Sequence, residues 1–319
     1  MGKGNFWKEL PRPFMCLAPM EGVTDTVFRQ VVVRAGAPDV FFSEFTGVEQ
    51  LYSRGYYKMV ENLEYTEDER PLVLQIWGGT PALYEAAGEL AVGLGFDGVD
   101  INMGCPDKSI MARGSGSALV KNWPLAGELI AAVKTGVQGQ IPVSVKIRLG
   151  YTQNVVEEWS EFLLGQGIEA LSVHGRTTKE MSRVAANWEA IGSVVAVRDR
   201  LGVETVVIGN GDVKSVAEAM EKVAQYGVDG VMIGRGIFEN PWLFGAESTK
   251  RHGKAERLEL LRYHLKLWEE TWGEAKHYDR IKRFYKVYLA GFRGSAKLRD
   301  ELMRTKRVEE AWKLIGYRG

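Results

Sequence analysis

Two short segments of the chain carry polar side chains at every second position. The two sets are Ser144, Lys146 and Arg148, then Ser172, His174 and Arg176. Because successive side chains of a β-strand point to opposite faces, the members of each set share one face. A single buried histidine is often structural, so His174 alone indicates little. Several cations at neighbouring strand ends indicate an anionic ligand, or one that develops negative charge.

Two glycine-rich segments each follow an apolar run. Residues 209–212 read GNGD, and residues 234–236 read GRG with Arg235 in the middle. Glycine is common in ordinary turns, which is the alternative interpretation. Backbone N–H groups in such loops also bind phosphate in α/β proteins. Two such segments, one with an arginine, predict a phosphate-bearing cofactor.

The chain has two cysteines, Cys16 and Cys105. Cys105 lies in the loop sequence INMGCPDKS, where a thiol can act as an acid or a nucleophile. Inert packing is the equal alternative for Cys105, and it is the interpretation for Cys16 inside an apolar run. Two thiols in a chain of this length fit a reducing compartment, so we expect a cytoplasmic protein.

Eight short apolar or β-branched runs are separated by longer helical patterns. Strands are predicted at 14–18, 40–43, 72–76, 97–101, 142–147, 169–173, 205–208 and 229–233. Helices are predicted, among others, at 81–94, 118–134, 155–166, 188–200 and 213–226. This alternation within 14–245 predicts an α/β fold, a closed (β/α)8 TIM barrel. An open doubly wound sheet is the alternative, but LAPMEGVTD replaces the Gly-x-Gly-x-x-Gly turn after its first strand.

Active sites of such barrels lie at the carboxyl ends of the strands. The residues that the sequence places there are Pro19, Met20, Gln75, Asn102, Cys105, Lys146, Arg148, His174, Arg176, Asn210, Gly211, Gly234, Arg235 and Gly236. These residues are therefore the candidate site. The glycine segments after strands seven and eight occupy the usual phosphate position of the fold.

The pattern changes after residue 245. Apolar residues at three- and four-residue steps predict helices over 256–272 and 278–293, and no strand pattern returns. We therefore predict a catalytic barrel domain at 1–245 and a helical domain at 246–319. Residues 251–319 carry 18 Lys/Arg and 10 Asp/Glu, whereas residues 1–250 carry 23 and 31. The net charge of zero is therefore the sum of an acidic body and a basic tail. The tail charges indicate a basic appendage that binds a partner, or alternatively an ordinary solvated helical surface.

Several classes of protein are excluded by what the sequence lacks. No apolar run approaches the roughly 18 residues of a membrane span, and the start, MGKGNFWKELPRPF, has no apolar signal region. We therefore expect no membrane association. Neither a His-Glu-x-x-His zinc motif nor a Gly-x-x-x-x-Gly-Lys-Ser/Thr phosphate loop occurs, and no metal site is predicted.

The candidate site residues and the segments that contain them resemble the tRNA-dihydrouridine synthases, flavin enzymes that reduce uridines in transfer RNA. The matching segments are LAPMEGVTD (17–25), VLQIWG (73–78), GVDINMGCP (98–106), PVSVKIRLG (142–150), VHGRT (173–177), IGNGD (208–212) and IGRG (233–236). INMGCP, HGRT and GRG in this order are far more specific than any one motif. The tail segment 280–302 is similar to the helical RNA-binding domain of the family. The resemblance covers nearly the whole chain and implies an FMN-binding (β/α)8 barrel followed by a helical domain.

The resemblance implies a role for each matched residue. Contacts to the flavin ring are implied for Pro19, Met20, Glu21, Gln75, Lys146 and His174, with Lys146 favouring the anionic reduced form near N1. Contacts to the ribityl phosphate are implied for Asn210, Gly211, Asp212, Gly234 and Arg235. Asn102 would help position the target uracil, and Cys105 would be the general acid.

The implied reaction is reduction of the C5–C6 double bond of uracil. Reduced FMN would give a hydride to C6, and Cys105 would protonate C5 from the opposite face. A thiol with a pKa of about 8.5 is mostly protonated at neutral pH, so it can act as an acid. His174 and Arg176 would stabilise the enolate or the RNA backbone. NADPH would reload the flavin.

A base inside folded RNA must be extruded to reach a barrel interior, at a cost of roughly a few kcal/mol. A basic tail that holds the RNA from outside would offset this cost. The candidate RNA contacts, besides Asn102, are Arg148, Arg176, Arg280, Lys282, Arg283 and Lys286, although helix charges are often simply solvated. A single chain can act across a whole tRNA, so we expect a monomer.

One segment departs from the family pattern. Residues 178–188 read TKEMSRVAANW, where many members have a tyrosine and a glycine before the tryptophan. This loop is a candidate RNA contact, and the departure concerns the choice of target uridine rather than the barrel chemistry.

Two other functions compete with this interpretation. Another FMN-dependent barrel oxidoreductase acting on a small molecule would share the flavin site, but the cysteine loop and the basic tail favour RNA. A non-catalytic RNA-binding protein with a relic barrel would not need Cys105, Lys146 and His174 together.

Overall fold

The structure is a computed structural model, and it describes residues 4–53, 60–273 and 275–316. Its strands are β1 (Phe14–Leu17), β2 (Phe41–Phe42), β3 (Thr46–Gly47), β4 (Leu72–Trp77), β5 (Gly98–Met103), β6 (Val143–Arg148), β7 (Ala170–His174), β8 (Val206–Asn210) and β9 (Gly230–Ile233). Each of the eight predicted strand segments contains one of these strands or overlaps most of it.

The strands form one parallel sheet that closes on itself. The order is β1-β9-β8-β7-β6-β5-β4-β2, and the short β3 pairs with β4 above β2. A parallel bridge between Cys16 and Val40, with Leu17 N–H donating to Val40 O at 3.0 Å, joins β1 to the β2 side. The closed order confirms the (β/α)8 barrel and excludes the open doubly wound sheet.

Helices follow most of the strands. Those of the barrel are α1 (Thr26–Gly36), α2 (Val48–Leu51), α3 (Pro81–Gly93), α4 (Lys108–Met111), α5 (Trp123–Val137), α6 (Val156–Leu164), α7 (Trp188–Leu201) and α8 (Val216–Tyr226). The helix predicted at 118–134 begins later, at Trp123. Asn122 caps it by accepting the Leu125 N–H, and a proline occupies the first turn, while 116–121 is a 3-10 helix.

The barrel interior is a separate apolar cluster. Phe14, Cys16 and Ala18 of the first strand segment alternate inward, and Trp7 packs against Phe14 and Phe42. Cys16 is fully buried there, which agrees with its interpretation as a packing residue. Among the described residues, side chains therefore fill the interior of the barrel.

The tail contains α9 (Lys254–Thr271), α10 (Asp279–Lys282), α11 (Tyr285–Tyr288), α12 (Ser295–Arg304) and α13 (Val308–Ile315). The helix predicted over 256–272 is confirmed. The continuous helix predicted over 278–293 is wrong, because this segment forms two single turns. Its N–H groups donate three residues back, as from Phe284 to Ile281, and Gly291 and Gly294 have φ of 78° and 85°. The spacing of the apolar residues is helical, but the backbone between the two turns closes tighter three-residue hydrogen bonds, and both glycines lie beyond the second turn.

The tail packs on the first barrel helix. Phe28 of α1 stacks on Phe284 at 4.9 Å and contacts His264 at 6.0 Å between ring centroids. Side chains of the barrel helices and of the tail belong to one continuous apolar cluster. Among the described residues, none of the helices is both long and apolar enough to cross a membrane.

Candidate active site

A cavity of about 500 Å³ opens at the carboxyl ends of the strands. We call it the mouth cavity. Its lining includes these predicted residues: Pro19, Met20, Gln75, Asn102, Cys105, Lys146, Arg148, His174, Arg176, Asn210, Gly211, Asp212, Gly234, Arg235 and Gly236. It also includes Ala18, Phe45, Gly104, Pro106, Val213, Lys214, Met232 and Glu239, which the sequence did not single out. Barrel geometry therefore brings together residues from nearly every strand end.

The strand register explains this assembly. Arg148 is level with His174, His174 with Asn210, and Asn210 with Met232. Lys146 is level with Asn102 one row below. Because side chains alternate along each strand, these polar groups share the inward face at the top of the barrel.

Lys146 is a partly buried cation without a carboxylate partner among the described residues. Its Nζ donates to Asn210 Oδ1 at 3.2 Å, and Asn210 Nδ2 donates to Met232 O at 2.7 Å. Burial, and then the nearby Arg148, lower the pKa of Lys146 to about 8. Its ammonium therefore remains mostly charged at neutral pH, in a place where an anion would be favourable.

His174 is held neutral by its surroundings. Burial, and then Lys146, Arg148, Arg176 and Arg235, lower the pKa of His174 well below its usual range. Arg176 Nη1 lies 3.2 Å from His174 Nε2. Since a guanidinium only donates, Nε2 is the acceptor and the proton belongs on Nδ1. His174 therefore presents an N–H donor, not a positive charge.

Cys105 lies on a loop that is fixed by hydrogen bonds. Its N–H and that of Gly104 donate to Asn102 Oδ1 at 2.9 and 3.1 Å, and Arg148 Nε donates to Gly104 O at 2.8 Å. Burial raises the pKa of the Cys105 thiol above its ordinary value, although a hydrogen bond from the Asp107 backbone, and then Arg148 and Lys146, oppose this. The thiol is thus protonated at neutral pH and can donate a proton.

A buried polar network supports this loop from below. Asn102 Nδ2 donates to Gln75 Oε1 at 2.9 Å, and Gln75 Nε2 donates to Asp100 Oδ2 at 2.6 Å. Ser144 Oγ donates to Asp100 Oδ1 at 2.7 Å. Burial raises the pKa of Asp100 to about 6, partly offset by these two donors. Asp100 was missed by sequence reasoning, and its only signal was an acidic residue inside an apolar strand.

Asp212 links the glycine-rich segment 209–212 to the loop that precedes α7. Arg176 Nη2 pairs with Asp212 Oδ2, which also accepts the Ala186 N–H at 2.8 Å. Arg235 Nη2 lies 3.6 Å from the other oxygen. Gly211 has φ of 140°, and a Cβ there would lie 2.6 Å from Ala186 Cβ. A glycine is therefore required where the two loops meet.

Arg148 and Arg176, the two barrel arginines among the predicted RNA contacts, hold the loop at 177–186. Arg148 Nη1 donates to Thr177 O at 3.2 Å and Met181 O at 3.1 Å. Arg176 is 3% exposed, and its Nε donates to Val184 O at 2.6 Å. Met181 and Val184 themselves are exposed. The departing segment 178–188 is thus buried at both ends, at Thr178 and Trp188, and exposed over 181–185, where Arg148 and Arg176 hold its carbonyl groups.

Five predicted residues lie outside the mouth cavity. Glu21 lines a neighbouring pocket, because the chain turns at Met20, whose carbonyl accepts the N–H of Val23 and Thr24. The tail residues Arg280 and Arg283 line the same pocket. The Lys282 side chain is largely buried, and its Nζ lies 2.6 Å from Asp279 Oδ1. Lys286 is exposed.

The fold and this cavity define a (β/α)8-barrel protein with a cationic site at the carboxyl ends of its strands. Residues 16–316 match the family model described as dihydrouridine synthase. The chain therefore belongs to the dihydrouridine synthase family.

Two curated relatives are similar over nearly their whole length. "Probable tRNA-dihydrouridine synthase 2" of Bacillus subtilis (strain 168) is 48% identical, over 98% of this chain and 95% of the relative. "Probable tRNA-dihydrouridine synthase" of Staphylococcus epidermidis is 44% identical, over 98% of this chain and 96% of the relative.

Solved structures share the fold at low identity. Histamine dehydrogenase from Rhizobium sp. 4-9 superposes with a TM-score of 0.55 at 12% identity, over 79% of this chain and 48% of that chain. A 6-hydroxypseudooxynicotine amine oxidase from Pseudomonas geniculata N1 superposes with a TM-score of 0.56 at 14% identity, over 78% and 50%. At these identities the likeness concerns the barrel alone.

Proposed function

We propose that this chain is an FMN-dependent tRNA-dihydrouridine synthase that reduces the C5–C6 double bond of uridines in tRNA, with NADPH as the electron donor. One observation carries the proposal: in a chain of this family, a protonated Cys105 and a charged Lys146 line the same cavity. We further propose residues 1–245 as the catalytic domain and 246–319 as the tRNA-binding domain.

The chemistry of the mouth cavity fits FMN. Lys146 has an amide oxygen rather than a carboxylate as its hydrogen-bond partner, and Arg235 is exposed at the rim. Lys146, Gln75 and His174 would hold the flavin ring with Pro19 and Met20, while Asn210, Gly211, Asp212, Gly234 and Arg235 would hold the phosphate. Bound FMN would supply the hydride for C6 of uracil.

Cys105 supplies the proton for C5 in this proposal. Its thiol is protonated at neutral pH, and the Asn102 and Arg148 contacts to its loop fix its position before substrate arrives. Neutral His174, with its proton on Nδ1, would offer the ligand a hydrogen-bond donor without adding charge. Asn102 keeps one N–H free of its Gln75 contact, which suits a uracil carbonyl.

The test begins with the visible spectrum of the purified protein and FMN titration. The protein is then incubated with NADPH and unmodified tRNA, and dihydrouridine is mapped in wild type and Cys105→Ala. We expect a yellow protein, dihydrouridine with wild type, and a loss of about 100-fold or more for the variant, as for removal of a general acid. A colourless protein without affinity for FMN would falsify the flavin assignment. Full turnover by Cys105→Ala without an added small acid would remove the role of that residue.

A further inference from the structure

A second pocket of about 280 Å³ lies between the first barrel loop and the tail. We call it the junction pocket. It is lined by Glu21, Gly22, Asp25, Glu44, His264, Trp268, Lys276, Arg280, Ile281, Arg283 and Phe284. Sites for drug-sized ligands start at about 300 Å³, so this pocket has room for one ring system rather than a whole cofactor.

The junction pocket shares a thin wall with the mouth cavity. Met20 and Phe45 line the mouth cavity, while their chain neighbours Glu21 and Glu44 line the junction pocket. The wall is fixed: Glu44 Oε1 accepts the Val23 N–H at 3.0 Å, and Arg283 Nη1 donates to Gly22 O at 2.6 Å. Chain neighbours thus line the two pockets, which is the arrangement that two successive units of one polymer would need.

Glu44 gives the pocket a hydrogen-bond acceptor. The residue is only 4% exposed, and no described residue donates to its Oε2. Burial, and then Asp25 and Glu21, raise the pKa of Glu44 to about 7, against the opposing effect of Lys276 and Arg29. A buried carboxyl group without a full set of donors is costly, and a ligand that donates to it would relieve that cost.

The other walls of the pocket suit the remaining parts of a nucleotide. His264, Trp268 and Phe284 are 1%, 5% and 6% exposed and give the pocket an aromatic wall, against which a flat base can pack. Lys276 is already paired with Asp25 and Glu61, each at 3.4 Å. Arg280 is exposed at the rim and has no carboxylate partner in the described part of the chain, so it is available for a phosphate.

We propose that the junction pocket binds the base of a nucleotide adjacent to the target uridine, and that Glu44 selects guanine there. Guanine alone among the four RNA bases presents two neighbouring N–H donors, which match one carboxylate. The proposal rests on the proposed function, because it needs a uridine of the same RNA in the mouth cavity.

The test uses tRNAs in which each nucleotide flanking the reduced uridine is changed in turn to each of the four bases or to an abasic site. Affinity is measured by fluorescence anisotropy at fixed salt for wild type and Glu44→Gln. Glutamine keeps an oxygen for the Val23 N–H but replaces the second acceptor with a donor. We expect wild type to prefer guanine at one flank by about tenfold, as for a charge-assisted hydrogen bond, and the variant to lose that preference. No base preference at either flank, or a preference retained by Glu44→Gln, overturns the proposal.

Glu49→Gln is the matched control. Glu49 Oε1 likewise accepts a backbone N–H, from Gly79 at 2.9 Å, but Glu49 does not line the junction pocket. It should keep the guanine preference, and an equal loss would show a general disturbance and overturn the proposal. Mapping dihydrouridine in the same tRNAs with wild type separates the two claims. Absence of dihydrouridine contradicts the proposed function, whereas dihydrouridine without a flanking preference contradicts only the pocket.

Discussion

At the scale of single residues, the site depends on charges that the barrel withdraws from water. Lys146 and Arg148 are partly buried among other cations, and burial lowers the pKa of Lys146 to about 8 and that of Arg148 to about 10. The cost of keeping them charged there disfavours the ligand-free protein. An anionic ligand repays that cost, which is why such residues indicate function rather than stability.

Lys146→Met should therefore separate binding from stability. The variant keeps the length of the side chain without its charge, so FMN should bind about tenfold more weakly or worse. The ligand-free variant should be as stable as wild type or more stable, because the buried charge is gone. FMN fluorescence titration and urea unfolding measure the two effects. A variant that is both destabilised and unchanged in FMN affinity contradicts this account.

The same substitution should change the dependence of stability on pH. The pKa of Lys146 is lowered in the folded protein, so between about 8 and 10.5 the unfolded chain binds more protons. The contribution of Lys146 to the free energy of unfolding therefore increases as pH rises through that range, and it decreases again as pH falls to about 8. The difference between wild type and Lys146→Met, measured by urea unfolding at each pH, should follow this slope. If the difference between the two proteins does not change with pH, the pKa of Lys146 is not lowered in the folded protein.

Cys105 should react as a thiol of raised pKa. Burial is the main cause of the shift, so alkylation by iodoacetamide should rise about tenfold per pH unit from neutrality to about pH 9 without a plateau. Cys16 is fully buried, so Cys105→Ala should show little labelling and serves as the control. A plateau below pH 8 would mean that Lys146 and Arg148 outweigh burial.

At the scale of elements, the loops around the cavity are held by each other rather than by the strands alone. Asp212 joins the loop after β8 to the segment before α7 through Arg176 and the Ala186 N–H. Arg148 and Arg176 also hold carbonyl groups of the 177–186 loop. The conformation of this loop therefore depends on residues that also line the cavity.

Gly211→Ala should uncouple these loops. The new Cβ would lie 2.6 Å from Ala186 Cβ, and φ at Gly211 is 140°. Gly139→Ala is the matched control, because Gly139 has φ of 69° but nothing within 4 Å of a new Cβ. We expect the control to lose about 1 kcal/mol from left-handed backbone strain, and Gly211→Ala to lose clearly more because its φ is less favourable and its Cβ meets Ala186, with weaker FMN binding as well. Urea unfolding measures the losses, and equal losses would argue against the loop contact.

At the scale of the whole molecule, the charge is divided between an acidic body and a basic tail. Residues 251–319 contribute eight more positive than negative charges, and the rest of the chain contributes eight more negative than positive. The structure sorts the tail cations further: Lys286 is exposed, whereas the Lys282 side chain is 13% exposed and paired with Asp279. Only exposed cations without a carboxylate partner in the ranges that the structure describes, such as Lys286, are placed to release counterions from RNA.

Lys286→Ala and Lys282→Ala test this division with the same residue type four positions apart. Affinity for tRNA is measured between about 50 and 200 mM salt. Lys286→Ala should reduce the slope of log K against log salt by about one, and Lys282→Ala by clearly less. Equal slopes for wild type and both variants would count against the tail as the RNA-binding surface.

Much of the site was predictable because barrel strands deliver their ends to one place. Lys146, His174 and Asn210 were placed in the site from alternation and strand order alone, and each lines the mouth cavity. Side-chain partners were not predictable in the same way. Arg176 was expected to face RNA, but it lies at the contact of two loops that are distant in sequence, and its donors are used there. Asp100 gave no signal beyond its place inside an apolar strand.

The sequence by itself determined the barrel, the strand ends that carry the candidate site, the family and the charge division. The barrel and its strand ends follow from a periodicity that each segment carries by itself. The family follows from the motifs and their order along the chain, and the charge division follows from composition. Only the tertiary structure decided that Glu21 and Glu44 face away from the mouth cavity, that Arg148 and Arg176 hold a loop, and that the 278–293 segment breaks into two turns. Those outcomes depend on contacts between distant segments, such as Glu44 with Val23 and Arg283 with Gly22, and no local pattern encodes them.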